Sequence, residues 1–568
     1  MNIDNFQKRL KSASRTAADY LISQMNADGF WEGHLSSSAL STATAISALS
    51  LADNPSDKAA LLSGVTWLRN TQNKDGGWGD TPDSPSNLST TLLSISALEL
   101  SRQTIDIAET LHKADLYAGS PEDRVNAIRK IYGSDRTFAV PILMNCALAG
   151  LVPWSAVPGL PFELAVFPRS FYKTLRLQVV SYALPALIAV GLTIHQHSPS
   201  KNPIVRAIRK LSKSIVMKRL ATLQPENGGF LEATPLTSFV GMSLISVFGV
   251  AHPIARKCLE FIRDSQREDG SWPIDTNLSV WLTTGAISAL SSAGELSKID
   301  TSKTDQWITK QQYTQTHPYT GAAPGGWSWT HLQGGVPDAD DTSGAIIALN
   351  HLDKSSKADQ GVKWLLDIQN SDGGWPTFCR GWGQLPFDIS TPDITAHALR
   401  AIRTDPSCQR AIKRGFDYLA KTQRANGSWV PLWFGNQSSP DKSNPIYGTA
   451  RVIPAYVEHN NYSAELILSV QYILSAQNTD GSWGGAKNIR GSVEETALAV
   501  SALSCVEQTR EVSDAIARGA EFLISAVENN TYLNPTPIGL YFASLWYSEK
   551  MYPVSWTVEA LGRIMKQS

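Results

Sequence analysis

Gln369 to Trp375 reads QNSDGGW, and its pattern of Gln, three residues, Gly, a small residue and an aromatic returns along the chain. It appears as QMNADGFW (Gln24 to Trp31, one residue longer), QNKDGGW (Gln72 to Trp78), QPENGGF (Gln224 to Phe230), QREDGSW (Gln266 to Trp272), QRANGSW (Gln423 to Trp429) and QNTDGSW (Gln477 to Trp483), with a truncated APGGW ending at Trp327. Recurrence at roughly 40–55 residues means stacked supersecondary units. Before each Gln lies a short amphipathic run, such as GVTWLRNT, GVKWLLDI or GFDYLAKT, with apolar residues at helical spacing. After the aromatic comes a polar stretch, then a second helix opened by Thr or Ser: STTLLSISAL, TTGAISAL, DTSGAIIAL, ITAHALRAI, ETALAVSAL. The Asp/Asn-Gly between them is turn chemistry that needs positive φ at Gly. The unit is therefore helix, Gly turn with an aromatic plug, helix. The second helices, richer in Ala, Leu and Ile, form an inner ring.

Helix pairs repeated around a closed ring give an all-α fold of α/α toroids. Between Gly79 and Met217 the repeats thin into Pro-punctuated apolar helices such as FAVPILMNCALAGLVPWSAVPGLPF. The expectation is two α/α barrels enclosing a large apolar cavity: 1–295, with its first ~15 residues free to pack on the other domain, and 296–568.

Composition narrows the class. Lys+Arg 50 against Asp+Glu 51 gives a net charge of -1, so no nucleic-acid partner is expected. Five scattered cysteines (Cys146, Cys258, Cys379, Cys408, Cys505) show no CxxC pair or metal spacing, as in a reduced, cytoplasmic protein. No secretory signal is visible in MNIDNFQKRLKSASRTAADYL, and no apolar run reaches ~20 residues, so a spanning helix is not expected. Val179 to Ile194 is too short to span comfortably and carries Pro185; it reads as buried core or as a one-sided membrane contact. The 17 Trp residues plug repeats or line an apolar pocket.

Three carboxyls crowd VPDADDTSG: Asp338, Asp340 and Asp341. Like charges this close are not all ionised, so one is kept as an acid. They sit where a helix should begin, and its positive end makes the conjugate carboxylate easier to tolerate. An acidic N-cap loop is the plain alternative; a calcium loop fits less well, because Thr342 and Ser343 stand where Gly is needed. In TPDITAHAL, Asp393 and His397 are i, i+4 on one helix and face the same way, so Asp393 is expected to orient His397.

The QxxxG(G/S)W repeat together with DADDTSGAIIAL resembles the squalene-hopene cyclase and oxidosqualene cyclase family, over nearly the whole chain from ADYLISQMNADGFWEG to YPVSWTVEALGRI. The resemblance implies a class II terpene cyclase, which starts by protonating an alkene of a linear isoprenoid such as squalene. It also implies no metal or other cofactor, a monotopic contact with one side of the membrane, and homodimers. It makes Asp340 the proton donor with Asp338 and Asp341 supporting it, and gives His397 the hydrogen bond that helps the acid regain its proton. It sets Trp329 where the family stabilises an early cation. Trp281, Trp433, Phe378, Tyr447 and Tyr182 match other cavity aromatics, and Tyr541, Phe542 and Tyr547 the late-cation region. The repeat residues Trp78, Trp272, Trp375, Trp429 and Trp483 are assigned to structure.

Departures bear on product and substrate. WFGNQSSPDKSNPIYG carries an extra loop, GGWPTFCRGWGQLPFDISTPD is unlike the usual segment, and Thr330 and His331 are polar where the family is often apolar. Glu494 and Glu495 in GSVEETALAV read as a terminating base or as a solvated helix start. The alternative substrate is a shorter polyprenyl diphosphate, for which Arg380 is the one basic residue near the site. A protein prenyltransferase would need converging Asp, Cys and His for zinc; a thioester-type toroid, GCGEQ; a class I cyclase, DDxxD. The sequence supplies none of these.

Overall fold

A computed structural model describes residues 3–101, 106–133, 136–542 and 544–567. Among them, the helices Ala39–Ala52, Leu88–Leu100, Arg136–Leu148, Val180–His197 and Thr234–Phe248 pack each against the next, and the last returns to the first. A second ring closes the same way through Ser279–Ala293, Ala339–His351, Pro392–Ile402, Pro445–Glu458, Val493–Leu503 and Tyr552–Gln567. These inner helices are buried on nearly every face, whereas outer helices such as Gln409–Thr422 bury one stripe. The fold is a pair of α/α barrels.

Helix Ser279–Ala293, which a border at 295 assigns to the first barrel, packs in the second ring. The N-terminal helix Ile3–Ser23 packs outside that second ring too, on Tyr552–Gln567 and Arg510–Glu528. The chain thus begins on one barrel, builds the other, and returns.

The repeats are its fasteners. Each repeat Trp donates its indole N–H to a helix carbonyl: Trp78 to Leu68 (2.9 Å), Trp375 to Leu365 (2.8 Å), Trp429 to Leu419 (2.8 Å), Trp483 to Ile473 (2.8 Å). Its backbone N–H meets a Thr hydroxyl on the inner helix that follows, as from Trp375 to Thr395 at 2.9 Å. The Gln side chain bonds the carbonyls of its own turn and of the next outer helix, as Gln369 does to Gly373 and Ala411. Trp31 and Trp272 reach across the chain to Thr283 and Thr42, closing the second and first rings. At Gly373 φ is +97°, and a Cβ would lie 2.3 Å from the Arg414 carbonyl, so only Gly fits.

Candidate active site

Asp338 caps helix Ala339–His351, its Oδ1 accepting the Asp341 N–H at 2.8 Å. The next residues on that first turn, Asp340 and Asp341, share the helix's positive end. Asp338 and Asp341 are 2% and 4% exposed, while the Asp340 side chain is 21% exposed and faces a cavity. Burial raises Asp338 to about 7, opposed by its hydrogen bonds from Asp341; burial, then the charge of Asp338, raises Asp341 well above the usual carboxylate range. Asp338 Oδ2 and Asp341 Oδ1 lack hydrogen-bond partners.

Helix Pro392–Ile402 brings His397 to Asp340, Nδ1 to Oδ1 at 2.6 Å. Burial lowers the imidazole's pKa while the bond to Asp340 opposes it, so the ring is held neutral or shares the acid's proton. Asp393 does not bond His397: Nδ1 is taken by Asp340, and Asp393 lies buried one turn back with Oδ1 unpartnered. Burial, then the charge of Asp340, raises Asp393 to about 7. Asp338, Asp340 and Asp341 all border the cavity, and Asp340, the most exposed of the three, is the one bonded to His397.

The cavity is walled by Tyr182, Trp281, Trp329, Phe378, Phe387, Trp433, Phe434, Tyr541, Phe542, Tyr547 and Tyr552 with Leu231, Leu278, Val336, Ile394 and Leu540. Aromatic edges and faces surround Phe378, with Trp329 at 6.1 Å, Trp433 at 5.8 Å and Tyr182 at 5.4 Å between centroids. Such faces stabilise a cation by up to ~2 kcal/mol each without reacting with it. The hairpin Gly539–Tyr541/Leu545–Tyr547 carries Tyr541 and Phe542 inward, Phe542 in a left-handed turn at φ +51°. A second, largely apolar chamber shares Tyr182, Leu231, Phe387, Tyr541 and Phe542 with the first. It extends to Phe138, Pro141, Leu160 and Phe239 of the first barrel.

Comparison with known families agrees with this architecture. The squalene-hopene cyclase C-terminal domain matches residues 278–566 and the N-terminal domain residues 15–227; a prenyltransferase alpha-alpha toroid domain matches residues 164–323. The chain belongs to the squalene-hopene cyclase family. It is 26% identical to enfumafungin synthase of Hormonema carpetanum over 96% of this chain and 47% of that one. It is 23% identical to a probable squalene-hopene cyclase of Sinorhizobium fredii over 92% and 91%. The chain therefore spans about half the length of the first relative. An ent-copalyl diphosphate synthase from Streptomyces platensis has the same fold, with a TM-score of 0.56 at 18% identity over 98% of this chain and 99% of that one.

Within this squalene-hopene cyclase fold, Tyr447 departs from expectation. It does not line the cavity but sits one layer behind it, stacked on Phe434 at 4.0 Å. Glu494 and Glu495 are neither cavity-lining nor solvated. Glu494 Oε1 accepts the Thr536 N–H at 2.6 Å, and Glu495 Oε1 accepts from Asn436 at 2.8 Å and Asn444 at 3.0 Å, so both anchor loops. Burial raises each to about 7. The polar residues Thr330 and His331 turn outward, to Asn277 at 2.7 Å and Ser279 at 2.8 Å.

Sequence reasoning missed Phe387, Phe434, Tyr552 and Asp275. Asp275 is fully buried behind the wall, and its Oδ2 accepts from Trp329 Nε1 at 3.1 Å and Tyr541 Oη at 3.0 Å. Burial and then the charge of Glu232 hold its pKa well above the carboxylate range. No local motif marks it, since its partners come from distant segments.

Proposed function

We propose that this chain is a class II terpene cyclase that protonates a terminal alkene of a linear polyprenyl chain, squalene in the first instance, and closes it into a polycyclic terpene. The observation that supports it is Asp340, bonded to His397 and open to an aromatic-walled, apolar cavity. An alkene is a very weak base, so the acid must be dry, oriented and surrounded by groups that do not compete for the cation. The Asp340 carboxylate left after proton transfer is stabilised by the helix terminus and the His397 imidazole. His397 also borders a polar chamber with Arg400, Arg451 and Glu559, through which a proton returns. The two joined apolar chambers favour a triterpene-length chain over a shorter one.

A second reading, a shorter polyprenyl diphosphate, has one observation in its favour. Lys173, Arg176 and Arg380 line a chamber that meets the cavity at Tyr182 and Phe378, with Asp367 the one acidic residue on its wall. The deciding experiment offers squalene, oxidosqualene and geranylgeranyl diphosphate, with and without EDTA, to wild type and Asp340→Asn, with mass spectrometry as the readout. An EDTA-insensitive cyclised product from squalene, absent in Asp340→Asn, is expected. Product from the diphosphate alone selects the second reading, and turnover surviving in Asp340→Asn overturns both.

Membrane association and a homodimer belong to the same proposal. No helix among the described residues is long and apolar enough to cross a membrane. Helix Pro203–Leu223 nonetheless exposes Ile204, Ile208, Leu211 and Ile215 along one stripe, and Leu164, Phe167, Phe171 and Leu175 are exposed on a preceding segment. Such an apolar stripe flanked by Lys210 and Lys213 suits a monotopic contact. Flotation with phospholipid vesicles, lost in Leu211→Glu, tests the contact; sedimentation in detergent tests the dimer.

A further inference from the structure

A cyclisation must end, and a cation in a dry cavity ends by losing a proton only where something accepts it. Tyr182 Oη donates to the Phe378 carbonyl at 3.3 Å, Tyr547 and Tyr552 pair with each other at 3.0 Å, and Thr377 Oγ1 accepts from Trp433 at 2.7 Å. Among the described residues lining the cavity, Tyr541 is the hydroxyl that donates to a carboxyl, Asp275 Oδ2 at 3.0 Å.

We propose that Tyr541, acting with Asp275 behind it, is the proton acceptor that ends the reaction, and that it does so part-way along the cavity; the inference rests on the cyclase reading above. The C–H bond beside the cation breaks, and its electron pair forms the product's C=C bond. The proton goes to Tyr541 Oη, whose own proton crosses the existing hydrogen bond to Asp275 Oδ2. The step starts from ionised Asp275, the form that the neighbouring carbocation favours: carbocation and carboxylate become alkene and carboxylic acid, with no other reactant, and burial then makes the new acid reluctant to return its proton. Tyr541 touches substrate and is the catalytic residue; Asp275 acts through it.

Three observations support a proton role over a bracket. First, anchoring the Trp329 N–H and the Tyr541 O–H needs only a neutral acceptor, which an amide supplies without the heavy cost of burying a carboxyl. Asp275 nonetheless has a carboxyl that is fully buried, with Oδ1 unpartnered. Second, Leu231 and Glu232 beside it are held at φ +55° and +54°, strain of a kind that gathers at functional sites. This bend lets Glu232 accept from Gly334 at 2.7 Å and Asn227 at 2.8 Å and lie near Asp275, where its charge strengthens Asp275 as a proton acceptor. Third, Tyr541 stands at the junction of the two chambers. Beyond it, save for Thr137, the second chamber's own wall is hydrocarbon, including Phe138, Pro141, Leu236 and Phe239. A cation reaching the junction therefore meets its acceptor before the chain's far end has cyclised, and the product keeps an uncyclised tail.

The test uses the full-length enzyme, squalene and mass spectrometry, comparing wild type, Tyr541→Phe and Asp275→Asn. Asn keeps an acceptor for both donors, so a purely structural Asp275 would leave the product partition unmoved. The expected wild-type product is a partly cyclised alkene. Its share of total product should fall about tenfold in each variant, replaced by water-captured alcohols or by alkenes that lost a different proton. An unchanged share in either variant, or a fully cyclised wild-type product, overturns the proposal. If wild type converts none of the polyprenyl substrates, the cyclase reading itself has failed and this inference falls with it.

Discussion

In the proposed reaction Asp340 gives up a proton to an alkene and then recovers it from the side away from the substrate. His397 is placed for the recovery, with one nitrogen on Asp340 and its ring on the wall of the polar chamber. His397→Gln should therefore lower steady-state kcat by about 10²-fold. The first turnover, measured by rapid quench, should be slowed less than later ones, because the first proton is already loaded. Asp393 makes a separate contribution. Its acid is held to about 7 against an ordinary value of 3.8, so the folded state binds a proton that the unfolded chain releases. The resulting stabilisation is present in acid and is lost as pH rises toward 7, by up to ~1.4 kcal/mol per pH unit. Asp393→Asn removes this dependence. Between pH 5 and 8 the wild-type Tm should fall relative to the variant's, and parallel curves would count against it. Asp340 and His397 were legible because each lies in a local motif, DADD or TPDITAHAL. The role given to Asp393 was misread because i, i+4 spacing fixes which face a side chain shares, not which partner it finds across the helix pair.

At the scale of the element, the repeat explains why Trp is so frequent. Trp375 is fully buried and hydrogen-bonded to Leu365, whereas Trp382, a few residues on, is 60% exposed. Trp375→Ala should destabilise the protein by about 3–5 kcal/mol in denaturant unfolding, and Trp382→Ala by less than ~0.5 kcal/mol. Comparable losses would refute the assignment of repeat Trp residues to structure. The helix pairs were readable because their periodicity is local and repeated. The barrel border was less so: Ser279–Ala293 has the apolar composition of every inner helix, and ring membership is decided by Trp31 and the N-terminal helix arriving from far along the chain. Tyr447 shows the same limit, since an aromatic at an inner-helix start can face the cavity or, as here, stack on the residue that does.

Across the whole molecule, function depends on a space belonging to neither barrel alone. The acid comes from the second ring, the far chamber's wall from helices Arg136–Leu148, Val180–His197 and Thr234–Phe248 of the first, and the hairpin bearing Tyr541 and Phe542 lies between them. Composition and periodicity signal that such a space exists, but its length depends on how the rings meet. If substrate length is read by the second chamber, filling it should change selectivity without touching the acid. Ala186 lines that chamber on Val180–His197 and is remote in sequence from Asp340 and His397. Ala186→Phe places a ring where the distal part of a long chain would lie. Conversion of squalene should fall by about 10–200-fold relative to a shorter polyprenyl, the range that a mismatch in an apolar pocket commands. The measurement is kcat/KM for the two chain lengths in wild type and variant. Equal loss for both would mean that the ring disturbed the acid's end or the fold, and equal retention would mean that the long chain never enters the second chamber.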